Sequence, residues 1–207
     1  MSEKKIVIPG DLVTEERKKL GSHVFVENGK VFSDSLGLFY PGKDIASVVP
    51  LHGKYIPRRG DLIVGIVVSQ TYSGYIVDIN SIYSSYISKE LTRDRLKRGA
   101  VISAKVTDVN EVNEADLDDV RVFYGGEVLS VTPVKIPRMI GKNGSMLNAL
   151  KDGTGCSLLI GRNGWVWVKD GNVPLLVKAI DLIEREAHLN NLTNKVGDFL
   201  NKNKGEK

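Results

Sequence analysis

Cysteine is almost missing from this 207-residue sequence, with Cys156 the single one. One thiol excludes an internal disulfide framework and any zinc site built from several cysteines. Cys156 opens an apolar stretch, so it reads as a buried structural thiol rather than a nucleophile. Histidine is scarce too, at three residues. His23 and His52 stand apart from each other and from acidic partners at ligand spacing. His188 falls near the end of a helical pattern, where a cation is favourable and no ligand role is indicated. Long hydrophobic runs are lacking: nothing reaches the ~18 apolar residues of a membrane span. The opening Met1-Ser2-Glu3-Lys4-Lys5-Ile6 lacks the apolar core of a signal peptide. Charge of one sign is lacking as well, since 29 basic against 25 acidic residues leave only +4. The expectation is a soluble cytoplasmic protein with no membrane contact, no cofactor, no metal and no catalytic constellation.

What charge excess there is has a location. Residues 1–58 carry 9 basic and 7 acidic side chains, residues 59–134 carry 8 and 11, residues 135–169 carry 6 and 1, and residues 170–207 carry 6 and 6. The surplus surrounds the stretch from Val134 to Leu150. This stretch reads as an apolar strand that meets Pro137, turns through Gly141-Lys142-Asn143-Gly144, and enters a helix. Ser145 is the expected N-cap, and Met146, Leu147 and Leu150 are the expected buried face. Two glycines three apart let a backbone turn sharply and approach a ligand closely. A basic turn at a helix N-terminus suits phosphate, because free N–H groups and the positive dipole end point the same way. Arg138, Gly141, Lys142, Asn143 and Gly144 are therefore candidate contacts for RNA.

A G-x-x-G alone is weak, and the chain carries a second, Gly161-Arg162-Asn163-Gly164. That copy lies between Cys156–Ile160 and Trp165–Val168, both strand-like, and Asn-Gly between strands marks a hairpin that needs no ligand. Only the first copy opens a helix. Around it the order is strand, short helix, G-x-x-G, helix, strand, strand, then a long helix from about Asn172 to Asn190. This order resembles a KH domain of type I topology, whose G-x-x-G loop clamps about four nucleotides of a single strand. Val173, Leu176, Ile180, Ile183 and Ala187 recur at helical spacing as a buried stripe. Beyond it, Val196, Phe199 and Leu200 mark a short extra helix in a polar tail.

Residues 1–58 read as short strands and turns in a small β domain, with Ile8-Pro9-Gly10-Asp11 a turn and Glu27-Asn28-Gly29-Lys30 a hairpin. Glu15 to Lys19 reads as a solvated loop or helical turn. Residues 59–127 contain five short strands, expected to be antiparallel, beginning near Asp61, Gly74, Tyr83, Val101 and Val120. A longer connection, Lys89 to Gly99, separates the third and fourth. This spacing predicts an OB-fold barrel. Such barrels stack bases on aromatic rings and track phosphates with basic groups. The candidate platforms are Tyr72, Tyr75 and Tyr83, and the candidate phosphate contacts are Lys89, Arg93, Arg95, Lys97 and Arg98. Six carboxylates, Asp108, Glu111, Glu114, Asp116, Asp118 and Asp119, invite a calcium-loop reading. Val112 breaks the ligand alternation and the segment has no glycine, so it reads as a solvated hairpin loop. The fold class is multidomain, mainly β plus α/β: a small β domain (1–58), an OB-fold barrel (59–127), and a KH domain with C-terminal helix and tail (128–207).

Gly60-Asp61, Tyr72-x-Gly74-Tyr75 and Arg98-Gly99 resemble the S1-type RNA-binding barrel. With Ile8–Asp11, Glu27–Lys30, Val49 to Pro57, Gly60 to Gly65 and Ile136 to Gly144, the whole chain resembles the RNA-binding cap subunit of the archaeal exosome, the ribosomal RNA-processing protein 4 family. The resemblance implies a non-catalytic subunit, a homotrimer or a mixed trimer with the other cap subunit. It would sit on a hexameric ring of RNase PH-like phosphorolytic subunits and feed adenine-rich single-stranded 3′ ends toward the pore. Residues 1–58 would dock to the ring. The alternative is a freestanding barrel–KH regulator of transcription or translation, which would use the same residues without a ring. An enzyme like bacterial polynucleotide phosphorylase is disfavoured, since its large catalytic domains have no counterpart here.

Overall fold

A computed structural model describes residues 5–41, 44–51, 53–92, 95–187 and 191–203. The chain forms two compact units, Met1–Gly53 and Lys54–Lys207.

The first unit consists of short strands: β1 (Lys5–Val7), β2 (Leu12–Thr14), β3 (Lys19–Leu20), β4 (Val24–Glu27), β5 (Lys30–Ser33), β6 (Gly37–Phe39), β7 (Ile45–Ala46) and β8 (Val48–Pro50). They pair in the orders β1-β6-β8, β2-β5-β4 and β3-β7. The expected hairpin is present: Glu27 faces Lys30, and Asn28 and Gly29 both take positive φ, 50° and 78°. A two-residue turn between right-twisted strands requires that conformation. Glu15 to Lys19 forms no helical turn; Lys19 instead enters β3, paired parallel with β7. Val7, Val13, Val31, Phe39, Ala46 and Val48 make the core. His23 was expected to stand apart from carboxylates, and it does not. Its Nδ1 lies 3.3 Å from Asp34 Oδ1 and 3.1 Å from Ser35 Oγ.

The second unit begins with a closed five-stranded barrel of β9 (Leu62–Gln70), β10 (Gly74–Asp78), β11 (Ser85–Ser88), β12 (Val101–Val109) and β13 (Ala115–Phe123), in the order β10-β11-β13-β12-β9. Four junctions are antiparallel. The one that closes the barrel, β11 to β13, is parallel, which corrects the all-antiparallel expectation. Alternation along β10 and β11 sends Tyr75, Val77, Ser85 and Ile87 inward. The acidic segment is half strand, since only 110–114 turns. Asn110 closes that turn, its Oδ1 accepting from the N–H of Val112 and Glu114.

The unit boundary falls at Gly53/Lys54, five residues before the expected 58/59. The reason is Tyr55, buried against the barrel, whose hydroxyl donates to Asp61 Oδ2 at 2.8 Å. Its carbonyl accepts from Ser81 Oγ at 3.0 Å. Burial first, and then the Asp61 carboxylate, push the Tyr55 phenol well above its ordinary pKa. Gly60 and Asp61 are themselves laced to β12, Gly60 N–H donating to Val106 O and Val106 N–H to Asp61 O.

The chain continues as β14 (Glu127–Ser130), α1 (Ile136–Ile140), α2 (Ser145–Thr154), β15 (Ser157–Ile160), β16 (Trp165–Lys169), α3 (Val173–Glu186) and α4 (Leu192–Asn203). The antiparallel sheet order β14-β16-β15 and the helices covering one face give the KH architecture. The stretch entering Pro137, expected as a strand, is a 3-10 turn at Pro133–Lys135 running into α1. Pro133 explains this: its fixed φ and missing N–H suit the first position of a helical turn. Lys135 Nζ then donates to the carbonyl of Glu184 near the end of α3. Asn172 caps α3 by accepting from Leu175 N–H. Of the predicted stripe, Leu176, Ile180 and Ile183 are buried, while Val173 and Ala187 are half-buried at the two ends of α3. Cys156 is buried in the same core. The short tail helix exists and is integral: Leu192, Val196 and Leu200 of α4 are buried with α2 and α3. His52 and His188 lie outside the described residues. No helix among the described residues is long and apolar enough to cross a membrane.

Candidate nucleic-acid interface

The first G-x-x-G sits between α1 and α2. Gly141 has φ 75°, ψ 176°, and Asn143 and Gly144 follow in the left-handed region. A Cβ on Gly141 would stand 2.7 Å from Met146 N and 2.9 Å from Met146 Cβ. The glycine therefore lets the turn lie flat on the start of α2. Ser145 is the first helical residue rather than the N-cap; Gly144 takes that place and has no side chain to cap with. Gly144 N–H and Ser145 N–H are taken by the Gly141 and Lys142 carbonyls, so only the N–H groups after Ser145 in the first turn of α2 keep donor capacity beside the exposed Lys142 and Asn143. Arg138, on the preceding helix, is exposed as well. Among the described residues no hydrogen bond or ion pair engages the side chains of Arg138, Lys142 or Asn143. Donors, cationic side chains and a positive helix end converge, which is the chemistry of a phosphate contact.

The barrel presents a second arrangement. Tyr72, in the β9–β10 turn, is 97% exposed. Lys89 Nζ donates to the Tyr72 carbonyl at 2.9 Å and stands 5.9 Å from the ring centroid, so one lysine both holds the turn and reaches the ring. Ile76 and Tyr86 face each other across β10 and β11 on the outer surface. Arg95, Lys97 and Arg98 are exposed, while Leu96 between them is buried in the barrel and anchors the connection.

Residues 126–174 match the KH domain family, and residues 4–52 match the family described as the exosome RNA binding protein RRP4 N-terminal domain. The exosome complex component Rrp4 of Methanobrevibacter smithii is 38% identical, over 97% of this chain and 72% of its own. That of Methanosarcina barkeri is 39% identical, over 96% and 82%. This chain belongs to the archaeal Rrp4 family. A crystal structure described as a candidate exosome complex RNA-binding protein superposes with a TM-score of 0.64 at 28% identity, covering 72% of this chain and 97% of the other.

Within this Rrp4-family chain the predicted residues separate. Tyr75 is 2% exposed and belongs to the barrel core, so it offers no face to a base. Strand alternation decides this, because Tyr75 shares its inward side with Val77. Tyr83 is half-buried beside the Ser81 turn. Arg93 lies outside the described residues. Tyr86, which the sequence reading did not single out, packs the end of its ring over the backbone of Gly74.

The second G-x-x-G is a hairpin turn, as its sequence indicated, and it has a partner that the sequence did not name. It plugs into the barrel wall. Asn163 is fully buried; its Oδ1 accepts from Val64 N–H at 3.2 Å, and its Nδ2 donates to Val64 O at 2.7 Å and Ile79 O at 2.9 Å. Asn80 Nδ2 donates to the Asn163 carbonyl at 2.8 Å, and Arg162 N–H to Leu62 O. Barrel and KH domain therefore present their surfaces as one body.

Proposed function

We propose that this chain is the RNA-binding, non-catalytic cap subunit of an archaeal exosome. It would capture single-stranded 3′ ends, preferring adenine-rich tails, and pass them to a hexameric RNase PH-like ring that carries out the phosphorolysis. The observation that carries the reading is the pairing, in one compact unit, of an exposed basic G-x-x-G turn with a barrel face bearing Tyr72 and Lys89. The names of the relatives support the exosome assignment. The first unit supports a docking role, since Ile6, Ile8, Leu20, Val26 and Ile45 are each about half exposed or more. On this reading these side chains would be covered by the ring. On this reading the subunit is a trimer on the ring, alone or mixed with the other cap subunit, and cytoplasmic. Weak contacts held together on one ring would capture RNA tightly through effective concentration.

Mixing the purified chain with an archaeal phosphorolytic ring tests the reading. Light scattering should show a stable complex, and decay of tailed RNA should accelerate. A chain lacking residues 1–53, which keeps Tyr55 in the barrel, should lose the complex. Phosphorolysis by the isolated chain with phosphate and magnesium, or no complex and no effect on decay, would refute the proposal.

A further inference from the structure

The two Gly-x-Asn-Gly turns share a chemical hazard, and the fold guards only one of them. Three Asn-Gly pairs occur in the chain: Asn28-Gly29, Asn143-Gly144 and Asn163-Gly164. In such a pair the glycine nitrogen can attack the asparagine side-chain carbon, because no Cβ on the glycine obstructs the approach. Gly141-Lys142-Asn143-Gly144 and Gly161-Arg162-Asn163-Gly164 also share a basic residue at the same position, so sequence alone assigns them the same reactivity.

The structure separates them. Asn163 is fully buried, and its amide is held by Val64 N–H, Val64 O and Ile79 O. Gly164 has no slack: its N–H donates to Gly161 O at 3.2 Å, and a Cβ there would collide with the Val131 carbonyl. Closing a ring would break buried hydrogen bonds that nothing nearby replaces. Asn143 is exposed, and no hydrogen bond among the described residues holds its side chain. It takes φ 52°, ψ 30°, a left-handed conformation outside the two α-helices that flank it. Ring closure needs ψ to turn well away from that value. The Gly144 N–H that must turn with it reaches Gly141 O only at 3.4 Å, and the space where a Gly144 Cβ would stand is open. Asn28 is exposed too, in the hairpin of the first unit.

We propose that Asn143 is a spontaneous deamidation site whose conversion disables the RNA-facing turn. The Gly144 nitrogen gives its proton to a base in solvent and bonds to Asn143 Cγ. The Cγ–Nδ2 bond breaks, and ammonia leaves with a proton taken from water. Water then opens the five-membered succinimide at either carbonyl, giving aspartate or isoaspartate. The sum is asparagine and water to acid and ammonia, with nothing oxidised or reduced. Either product puts a carboxylate, ionised at neutral pH, next to Lys142 in the turn. Isoaspartate also lengthens the main chain by one carbon just before α2. The modification is independent of the RNA-binding reading above; its effect on binding rests on that reading.

The test incubates the full chain at mildly alkaline pH, which promotes the proton loss, and follows it by peptide mapping. The peptide holding Asn143 should show the mass gain of amide-to-acid conversion. It should also accept label from an isoaspartyl methyltransferase supplied with a labelled methyl donor. The peptide holding Asn163 should stay unconverted in the folded chain and react as Asn143 does once the chain is unfolded in urea. Mapping reads Asn28 separately. Asn143→Gln, whose longer amide cannot close a five-membered ring, should show no conversion at that position. Chain converted at Asn143, separated by ion exchange, should bind a labelled single-stranded RNA about tenfold more weakly than fresh chain, the scale of one like-charge contact. Asn143→Gln should keep through the incubation whatever affinity it starts with. An unconverted Asn143, or equal conversion of Asn143 and Asn163 in the folded chain, would overturn the site. Conversion without loss of RNA affinity would overturn the effect on binding. No RNA binding by fresh chain would overturn the RNA-binding reading and leave the deamidation site standing on mass alone.

Discussion

The side-chain amide of Asn163 completes the backbone hydrogen bonding of Val64, 99 residues earlier in the chain. One amide accepts from the Val64 N–H and donates to its carbonyl, as a neighbouring strand would. It then spends its second donor on Ile79. Deep burial makes this arrangement binding in both directions, since any group that loses its partner there stays dry and unpaired. The barrel and the KH domain thus act as one unit through a side chain that imitates backbone.

Replacing Asn163 by Asp keeps the shape and removes both donors. A carboxylate would then face the carbonyls of Val64 and Ile79. Stability should fall by roughly 3 kcal/mol or more. Denaturant melts should show this, and limited proteolysis should separate the barrel from the KH domain. A variant with wild-type stability would show that the plug is dispensable.

Tyr55→Phe addresses the other anchor. At neutral pH the lost bond to the Asp61 carboxylate should cost about 1.5–3 kcal/mol. The pH dependence has a definite sign. The folded phenol titrates above its unfolded value of about 10, so below that pH both states are protonated and the contribution is constant. As pH rises further the unfolded state loses its proton first, and stability falls. Urea melts from pH 7 to 11 should therefore show a smaller alkaline loss in Tyr55→Phe than in wild type.

Tyr72 and Tyr75, three residues apart, should behave oppositely. Tyr72→Ala should leave the melting temperature unchanged and weaken RNA binding by about 1–3 kcal/mol. Tyr75→Ala should destabilise the barrel by about 3–5 kcal/mol, because it empties a packed core position. Equal effects on stability would contradict the inward and outward assignment.

Lys142→Asp with Asn143→Asp should weaken RNA binding without unfolding the KH domain, since both side chains are exposed. The salt dependence of binding should also become shallower, because a phosphate contact that releases counterions is gone. Unchanged affinity in the folded variant would remove the turn from the interface.

Much of this was legible because it is local. The hairpin at Asn28-Gly29, the helix after Gly144 and the stripe on α3 each follow from backbone preference and periodicity, which act over a few residues. The G-x-x-G at 141–144 was separated from its twin by flanking pattern alone. The tertiary structure decided the rest. Pro133 started a helical turn where apolar composition alone read as strand. Tyr75 went inside because barrel closure gave its side of β10 a core to fill. Asn163 acquired a role because a strand remote in sequence offered it unpaired backbone groups. Sequence alone established the three modules, their order and the basic turn; long-range pairing, which no local window contains, chose which aromatic rings meet solvent and which surfaces move together.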